Sequence, residues 1–329
     1  MKILLIGLGS IGKRHLGNLI ELGYTDISVV TRSPLPEKFE TLAVAYKTIE
    51  TAFEKDMYDT AFVCTPTSHH VNNLELLLTK KVQNIYIEKP LSNTTKNISA
   101  VLTLAASYKN NIAVGYDLHF DPGIQKVREL LQQQVIGKTV SVNAFVGQYL
   151  PRWRPHEDHR KGMSAREETG GGVLLDIIHE FDYLCWLNGP VDTVAGMHIN
   201  TGVLEIETEE CAEVLLKFKN GSIGSVHLDY LQPSLVRHFI ITGTHGSITC
   251  NIAEKKVSWL TVKGLAGEYT YHEFERNDRF KKIVQHFLED KTDDRLTGLQ
   301  GALQSLCIVE AAKYSAAAGC MINPEALKN

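Results

Sequence analysis

The chain lacks several features that would place it in other functional classes. No apolar run approaches the ~20 residues that a membrane-spanning helix needs, and the six cysteines contain no C-x-x-C pair. A net charge of −4 without a lysine or arginine cluster gives no electrostatic footprint for nucleic acid or an anionic membrane surface. No cysteine–histidine grouping has metal-ligand spacing. We therefore expect a cytoplasmic protein with buried, reduced thiols, no metal, and no nucleic-acid or membrane partner.

A glycine-rich turn stands at the start of the chain. A short apolar run, Lys2–Ile6, leads into the hexapeptide G-L-G-S-I-G at residues 7–12, and a helical segment follows. A buried strand, a G-x-G-x-x-G turn and a helix in this order are the dinucleotide-binding fingerprint. Gly7 makes the tight turn, Gly9 lets the backbone approach a pyrophosphate, and Gly12 lets the helix pack close to the strand. The helix N-terminus adds unpaired N–H groups and a positive dipole end. We assign coenzyme contacts here to Gly7, Gly9, Ser10, Ile11 and Gly12.

The order of strand and helix patterns predicts two domains, as expected for a chain of 329 residues. Up to about residue 120, short apolar strands alternate with helical stretches, which predicts right-handed βαβ units. Later β-branched runs, separated by turns such as Asn220-Gly221, predict antiparallel strands, and two closing helices follow. We predict an α/β Rossmann domain with a doubly wound parallel sheet over 1–120. The predicted remainder, 121–329, is an α+β domain with an open, mostly antiparallel sheet, whose last helices are free to pack back on the first domain.

The residues after the second predicted strand bear on the choice of coenzyme. A site for NAD usually carries an acidic residue there, whereas arginine accommodates the 2′-phosphate of NADP. This chain has no acid at that point. Thr31, Arg32 and Ser33 instead offer two hydroxyl groups and a guanidinium to a phosphate. We therefore expect NADP to be preferred over NAD, the alternative being an ordinary loop with one solvated arginine.

Three further motifs, in order along the chain, resemble a single family. The motifs are Thr65-Pro66 with His70, Glu88-Lys89-Pro90 at a predicted strand end, and Gly170-Gly171-Gly172 followed by Asp176 and His179. With the N-terminal turn, they resemble the glucose–fructose oxidoreductase, inositol dehydrogenase and rhizopine catabolism family of NAD(P)-dependent oxidoreductases. The resemblance covers the whole chain and implies the two-domain fold predicted above.

The resemblance also implies a role for each motif. Lys89 reaches the reacting substrate oxygen, where it can stabilise an alkoxide as hydride leaves, and the proline after it is commonly cis. His179 is the proton-transfer residue, and Asp176 orients His179 or holds a second hydroxyl. Helical spacing places Asp176, His179 and Tyr183 within a ~60° arc, a pattern that alone is more often a solvated face. Further coenzyme contacts are assigned to Thr65, Pro66, His70, Glu88 and Lys89.

Two departures from the family pattern affect the substrate site. Asp176 and His179 are three residues apart, where many members have four, which leaves the pose of Asp176 open. His119 stands in a stretch where members often carry asparagine and arginine. Residues 148–161 combine aromatic rings with cations that suit a carboxylate, a phosphate or a sugar face, although an exposed loop or a dimer contact is an equal alternative. Candidate substrate contacts are His119, Tyr149, Arg152, Trp153, Arg154, Arg166 and Tyr183.

Hydride transfer at a sugar hydroxyl or ketone is therefore the expected reaction. The stretch 115–189 resembles a subgroup of surface-polysaccharide sugar biosynthesis, which suggests an anionic or nucleotide-linked sugar, with free polyols and inositols left open. The alternatives are a glycoside hydrolase that uses NAD for transient oxidation and a dinucleotide sensor. The presence of Lys89 and His179 argues against a sensor. An open sheet in the second domain predicts a homodimer or homotetramer.

Overall fold

The computed structural model describes residues 1–96, 98–108, 110–290 and 292–328, and the chain divides into two compact units. The first unit comprises Met1–Ser92, Lys96–Asp117 and Arg276–Ala302. The second comprises Asn93–Thr95, Leu118–Glu275 and the chain from Leu303 onward. Residues 276–302 thus belong to the first unit although they lie far beyond residue 120. No described helix combines the length and apolarity needed to cross a membrane.

The elements of the described residues are as follows. The strands are β1 (Ile3–Ile6), β2 (Ile27–Val30), β3 (Val44–Tyr46), β4 (Thr60–Val63), β5 (Asn84–Ile87), β6 (Asn111–Val114), β7 (Thr139–Gly147), β8 (Val191–Ile199), β9 (Cys211–Phe218), β10 (Ile223–Asp229), β11 (Val236–Gly243), β12 (Gly246–Asn251), β13 (Lys256–Thr261) and β14 (Ala266–Thr270). The helices are α1 (Ser10–Glu21), α2 (Ile49–Phe53), α3 (His70–Thr79), α4 (Ile98–Ser107), α5 (Pro122–Gln132), α6 (Val173–Asp176), α7 (His179–Asn188), α8 (Arg276–Glu289) and α9 (Leu299–Ala318).

The first unit is built on a parallel sheet, which confirms the α/β prediction. Its described strands lie in the order β3-β2-β1-β4-β5-β6. All residues of β1, β2 and β4 are buried, as expected of apolar strands covered on both faces. The strand order reverses between β1 and β4, and ligands of such sheets bind outside the carboxyl ends of the strands at that point. Strand β3 was not predicted because it is only three residues long and none of them is buried.

The second unit contains an open, mostly antiparallel sheet, as predicted. Among the described residues the order is β14-β13-β12-β11-β7-β10-β9-β8. One pair departs from the antiparallel pattern, since β10 runs parallel to β7 with Val226 opposite Ala144. Strand β9 alternates between buried and more exposed residues, so one face of the sheet packs on the core and the other is open.

The cysteines differ from the expectation of uniform burial. All six are free thiols, but Cys320 is exposed and Cys185 and Cys211 are only partly buried. Cys64 lies in the core beside the glycine-rich turn, and burial raises the pKa of its thiol well above the usual value. The buried thiols therefore act as small apolar side chains at neutral pH.

Candidate active site

The glycine-rich turn separates into positions fixed by packing and one position that is open. A Cβ on Gly7, whose φ is +96°, would lie 2.6 Å from the carbonyl oxygen of Cys64. A Cβ on Gly12 would lie 2.1 Å from the carbonyl oxygen of Gly7. A Cβ on Gly9 would meet nothing within 4 Å, and this residue has an ordinary extended conformation. Packing inside the chain therefore explains Gly7 and Gly12, whereas Gly9 keeps a surface clear for a ligand.

Helix α1 begins at this open position. Its N-cap is Gly9, no side chain caps its N-terminus, and its first turn, which includes Ser10 and Ile11, carries no acidic residue. The first N–H groups of a twelve-residue helix are thus available to an anion, and the helix dipole favours negative charge there. These residues fit the diphosphate of a nicotinamide dinucleotide.

The turn after β2 holds the groups assigned to the adenosine 2′ position. Thr31 is buried, and its hydroxyl accepts a hydrogen bond from the backbone N–H of Ser33 at 3.1 Å, so it is engaged within the turn. Arg32 and Ser33 are exposed. Lys47, which sequence reasoning missed, donates to the carbonyl oxygen of Arg32 at 3.4 Å. Lys47 follows β3, the strand that was not predicted, so the turn carries two cations instead of one.

The turns after β4 and β5 lie side by side, because these strands are paired with Val63 opposite Ile87. His70, predicted as a coenzyme contact, is buried between the two turns. Its Nδ1 lies 2.8 Å from the carbonyl oxygen of Pro90 and its Nε2 lies 2.9 Å from that of Thr65. The ring therefore binds backbone, which corrects the assignment to the coenzyme. Pro66 is exposed next to this site.

The Glu88-Lys89-Pro90 turn has a cis peptide bond between Lys89 and Pro90, as the resemblance implies. Lys89 is partly exposed, and Glu88 is buried. The Glu88 Oε1 atom lies 2.6 Å from Nε2 of His15, a fully buried residue of α1. Glu88 thus connects the turn to the helix that starts at the glycine-rich turn. His15 was missed because its partner is 73 residues away in sequence.

In the second unit, the glycine triplet is packed against the chain itself. A Cβ on Gly171 would lie 2.5 Å from the carbonyl oxygens of Met163 and Ser164. Gly172 has φ of +104°, and its Cβ would lie 2.4 Å from Oε1 of Glu209. The close neighbour expected from three consecutive glycines is therefore protein at both positions.

The helix that follows is broken, which corrects the prediction of one continuous polar arc. Helix α6 ends at Asp176, Ile177 has φ of −104° and ψ of 29°, and α7 starts at His179. Asp176 is buried and accepts a hydrogen bond from the Tyr230 hydroxyl at 2.7 Å through its Oδ2 atom. Burial and the nearby Asp176 raise the pKa of Tyr230 well above its usual value, so Tyr230 remains a donor. His179 is partly exposed.

Two predicted substrate contacts are core residues instead. Tyr183 is fully buried with its ring 5.0 Å from that of Phe239, and burial raises its pKa well above the usual value. His119 is 3% exposed, lies 2.8 Å from Asp182 through Nε2, and stacks on Trp186 at 4.2 Å. Both side chains therefore stabilise the second unit from its interior.

Residues of the cationic loop line a shallow surface depression in the second unit. Its lining comprises Leu150, Trp153, Arg154, Glu157, His159, Gly162 and Ser164. The Trp153 ring meets the ring of Tyr230 edge to face at 5.4 Å, which links the depression to Asp176.

The other predicted contacts of this loop have partners within the chain. Arg152 donates to the carbonyl oxygen of Pro233 and lies over the ring of Tyr149. Arg166 lies 3.8 Å from Glu168. Of the loop cations predicted to bind substrate, Arg154 is therefore the one that lines the depression.

Known proteins resemble both halves of the chain. The NAD-binding Rossmann fold of the oxidoreductase family matches residues 1–116, and the GFO/IDH/MocA C-terminal domain matches residues 124–249. The rhizopine catabolism protein MocA of Rhizobium meliloti is 25% identical over 231 residues, covering 68% of this chain and 69% of that protein. Myo-inositol 2-dehydrogenase of Thermotoga maritima is 28% identical over 238 residues, 69% of this chain and 67% of that enzyme.

The fold also has solved counterparts. The structure of levoglucosan dehydrogenase in complex with NADH and levoglucosan matches with a TM-score of 0.84 at 16% identity, covering 98% of this chain and 99% of that one. The two matched family regions together span more than half of the sequence. The chain therefore belongs to the GFO/IDH/MocA family of oxidoreductases and carries its NAD-binding Rossmann fold.

Proposed function

We propose that the protein transfers a hydride between a nicotinamide coenzyme and the carbon of a hydroxyl or ketone group in a sugar or sugar derivative. The observation that carries this proposal is the arrangement of the first unit. Gly9 leaves open space at the uncapped start of α1, and Lys89 follows β5, two strands away in the same sheet. The similar proteins, which include an inositol dehydrogenase and a levoglucosan dehydrogenase, favour a polyol or sugar substrate.

Each proposed residue has one chemical task in the oxidation of a hydroxyl group. A bound nicotinamide dinucleotide supplies the hydride acceptor. The Lys89 ammonium group donates a hydrogen bond to the reacting oxygen and stabilises negative charge there as the C–H bond breaks. The His179 imidazole takes the hydroxyl proton and returns it in the reverse direction. Asp176, held by Tyr230, accepts a hydrogen bond from a neighbouring substrate hydroxyl.

The turn after β2 favours NADP over NAD. The segment 31–36 contains no acidic residue that would bind a ribose 2′-hydroxyl. Arg32 is exposed, its guanidinium has no ion-pair partner among the described residues, and Lys47 adds a second cation within reach of the same backbone. A 2′-phosphate gains charge-assisted hydrogen bonds from such groups.

Removing these cations is expected to weaken NADP binding selectively. Each of Arg32→Ala and Lys47→Ala should raise the Kd for NADP about tenfold or more, because a hydrogen bond to a charged group is lost. The Kd for NAD should stay unchanged. Titration calorimetry of the coenzyme-free protein measures both, with Lys80→Ala, an exposed lysine at the end of α3, as the matched control. Equal binding of NAD and NADP in every variant would contradict the NADP preference.

The depression beside Asp176 supports an anionic substrate. Trp153 offers an aromatic face for a sugar ring, and Arg154 offers a planar cation for a carboxylate or phosphate. The exposed Glu157 in the same lining disfavours a second negative group. A sugar with a single anionic group, such as a uronic acid, therefore fits this lining better than a neutral polyol.

The open face of the second unit's sheet supports a homodimer or homotetramer. Large apolar side chains on this face are exposed, among them Met197, Leu215, Ile223, Ile240 and Leu260. Cross-strand pairing shows that they share one face, and an apolar patch of this kind usually marks a protein–protein contact. Light scattering of the purified protein should give a molar mass at least twice that of the 36.7 kDa chain. A monomeric mass at micromolar concentration would overturn this assignment.

A further inference from the structure

We propose that His70 is a positioning residue that ties together the two turns beneath the nicotinamide end of the coenzyme. This inference rests on the proposed function. His70 begins α3, is 1% exposed, and has both ring nitrogens within hydrogen-bond distance of backbone carbonyl oxygens. One belongs to Thr65, in the turn after β4, and the other to Pro90, in the turn after β5. A single imidazole thus links the carboxyl ends of two adjacent strands.

The position of these turns connects the link to the coenzyme. In a doubly wound sheet each βαβαβ half binds one mononucleotide, and the strands β4, β5 and β6 form the half opposite to the glycine-rich turn. The nicotinamide mononucleotide is therefore expected at the ends of β4 and β5. Because Lys89 directly precedes Pro90, a fixed Pro90 carbonyl restricts the placement of the lysine backbone.

Other contacts also hold these two turns, among them the backbone N–H of Glu88, which donates to the carbonyl oxygen of Val63 at the end of β4 at 2.9 Å. The Asn73 side chain, one turn further along α3, donates to the Thr65 hydroxyl at 3.0 Å. On the other side, Glu88 is held by His15 of α1 at 2.6 Å. The contacts of Asn73 and His15 each hold one turn. The His70 ring contacts both turns.

The chemistry of the ring gives the link a dependence on pH. Carbonyl oxygens only accept hydrogen bonds, and a neutral imidazole has one N–H donor, so both bonds form only when the ring is protonated. Burial lowers the pKa of His70 from its ordinary value of 6.5, against the opposing effects of the two carbonyls and of Glu88. The exposed His69 lowers the pKa further, and Cys64, Lys89 and the His15–Glu88 pair are further ionisable groups near these turns. The second bond is therefore gained only as the pH falls through this lowered pKa, and it is lost as the pH rises above it.

The test compares a whole coenzyme with a fragment that lacks nicotinamide. Titration calorimetry at pH 8 and at stepwise lower pH would measure NADP against 2′-phospho-ADP-ribose, and NAD against ADP-ribose. The variants are His70→Ala, His70→Asn, which keeps a donor near the Nδ1 position, and His70→Gln, which keeps one near Nε2. His69→Asn is the matched control, because His69 is adjacent in sequence and exposed.

We expect His70→Ala to bind the coenzyme about tenfold more weakly while its affinity for the fragment stays unchanged. The asparagine and glutamine variants should each recover part of the loss, and His69→Asn should match the unaltered protein. Relative to the fragment, the unaltered protein should bind the coenzyme more tightly as the pH falls through the lowered pKa of His70, and the His70 variants should lose this dependence.

Two results would overturn the role of His70. One is His70→Ala binding the coenzyme as tightly as the unaltered protein. The other is an equal loss for coenzyme and fragment, which would place the histidine in the general stability of the unit. A failure of the unaltered protein to bind any dinucleotide would instead overturn the proposed function itself, so the two failures are distinguishable.

Discussion

Replacing Lys89 with methionine should lower kcat by about 10²–10³-fold and leave coenzyme affinity close to that of the unaltered protein. Methionine keeps the length of the apolar stem and removes only the ammonium group, so the loss reports the charge at the reacting oxygen. The Kd for the coenzyme should not change, because the proposed diphosphate site is made of backbone N–H groups at α1. Steady-state kinetics and titration calorimetry on the same preparation measure both quantities.

His179→Asn provides the complementary measurement. Asparagine keeps a polar side chain at the start of α7 but cannot take up a proton, so kcat should fall by about 10²–10⁴-fold. Lys80→Met, at the exposed end of α3, is the control for loss of a lysine and should leave kcat unchanged. Turnover by Lys89→Met at the rate of this control would contradict the role assigned to Lys89.

Alanine at Gly12 should lower stability, whereas alanine at Gly9 should weaken coenzyme binding. Gly12→Ala forces a methyl group to within 2.1 Å of the Gly7 carbonyl oxygen, so the free energy of unfolding should fall by about 1–3 kcal/mol. Gly9→Ala meets nothing within 4 Å and keeps an allowed conformation, so the free energy of unfolding should not fall. Its methyl group occupies the open surface instead, and the Kd for the coenzyme should rise about 10–100-fold as phosphate contacts are lost.

Urea denaturation and titration calorimetry of the two variants measure these effects side by side. Gly9→Ala is the informative variant, since its unfolding transition serves as its own control for correct folding. A loss of stability in Gly9→Ala as large as that in Gly12→Ala would contradict the open space at Gly9. Unchanged coenzyme affinity in Gly9→Ala would contradict a dinucleotide site at this turn.

The parts of the fold that sequence predicted are those set by short-range pattern. The strand, turn and helix at the N-terminus follow from contiguous residues, and all of β1 is buried as its apolar run indicates. The parallel pairing of β7 with β10 could not be predicted in this way, because it joins strands about 80 residues apart. Strand β14 was missed because its residues alternate without an apolar face.

Prediction of the candidate site from sequence was limited in the same way, by contacts that local patterns do not show. Sequence motifs located Lys89, Asp176 and His179, and the family resemblance is confirmed, but the roles of these residues stay predictions. A helical wheel assumes one continuous helix, and the break at Ile177 changes the phase between Asp176 and the residues after it. Tyr183 is in the core for a different reason, since α7 is buried on most of its sides. Lys47 and His15 act through partners far away in sequence, and no local pattern reveals such contacts.

The most direct test of the proposed function is the appearance of reduced nicotinamide absorbance when the purified protein is mixed with coenzyme and a sugar panel. The panel should contain myo-inositol, a neutral aldose, a uronic acid and a nucleotide-linked sugar. We expect at least one sugar to reduce NADP through many turnovers, with the uronic acid preferred to the neutral polyol and with Lys89→Met inactive. Reduction of neither coenzyme by any of these sugars would contradict the dehydrogenase assignment, as would sugar cleavage with tightly retained NAD and no net reduction.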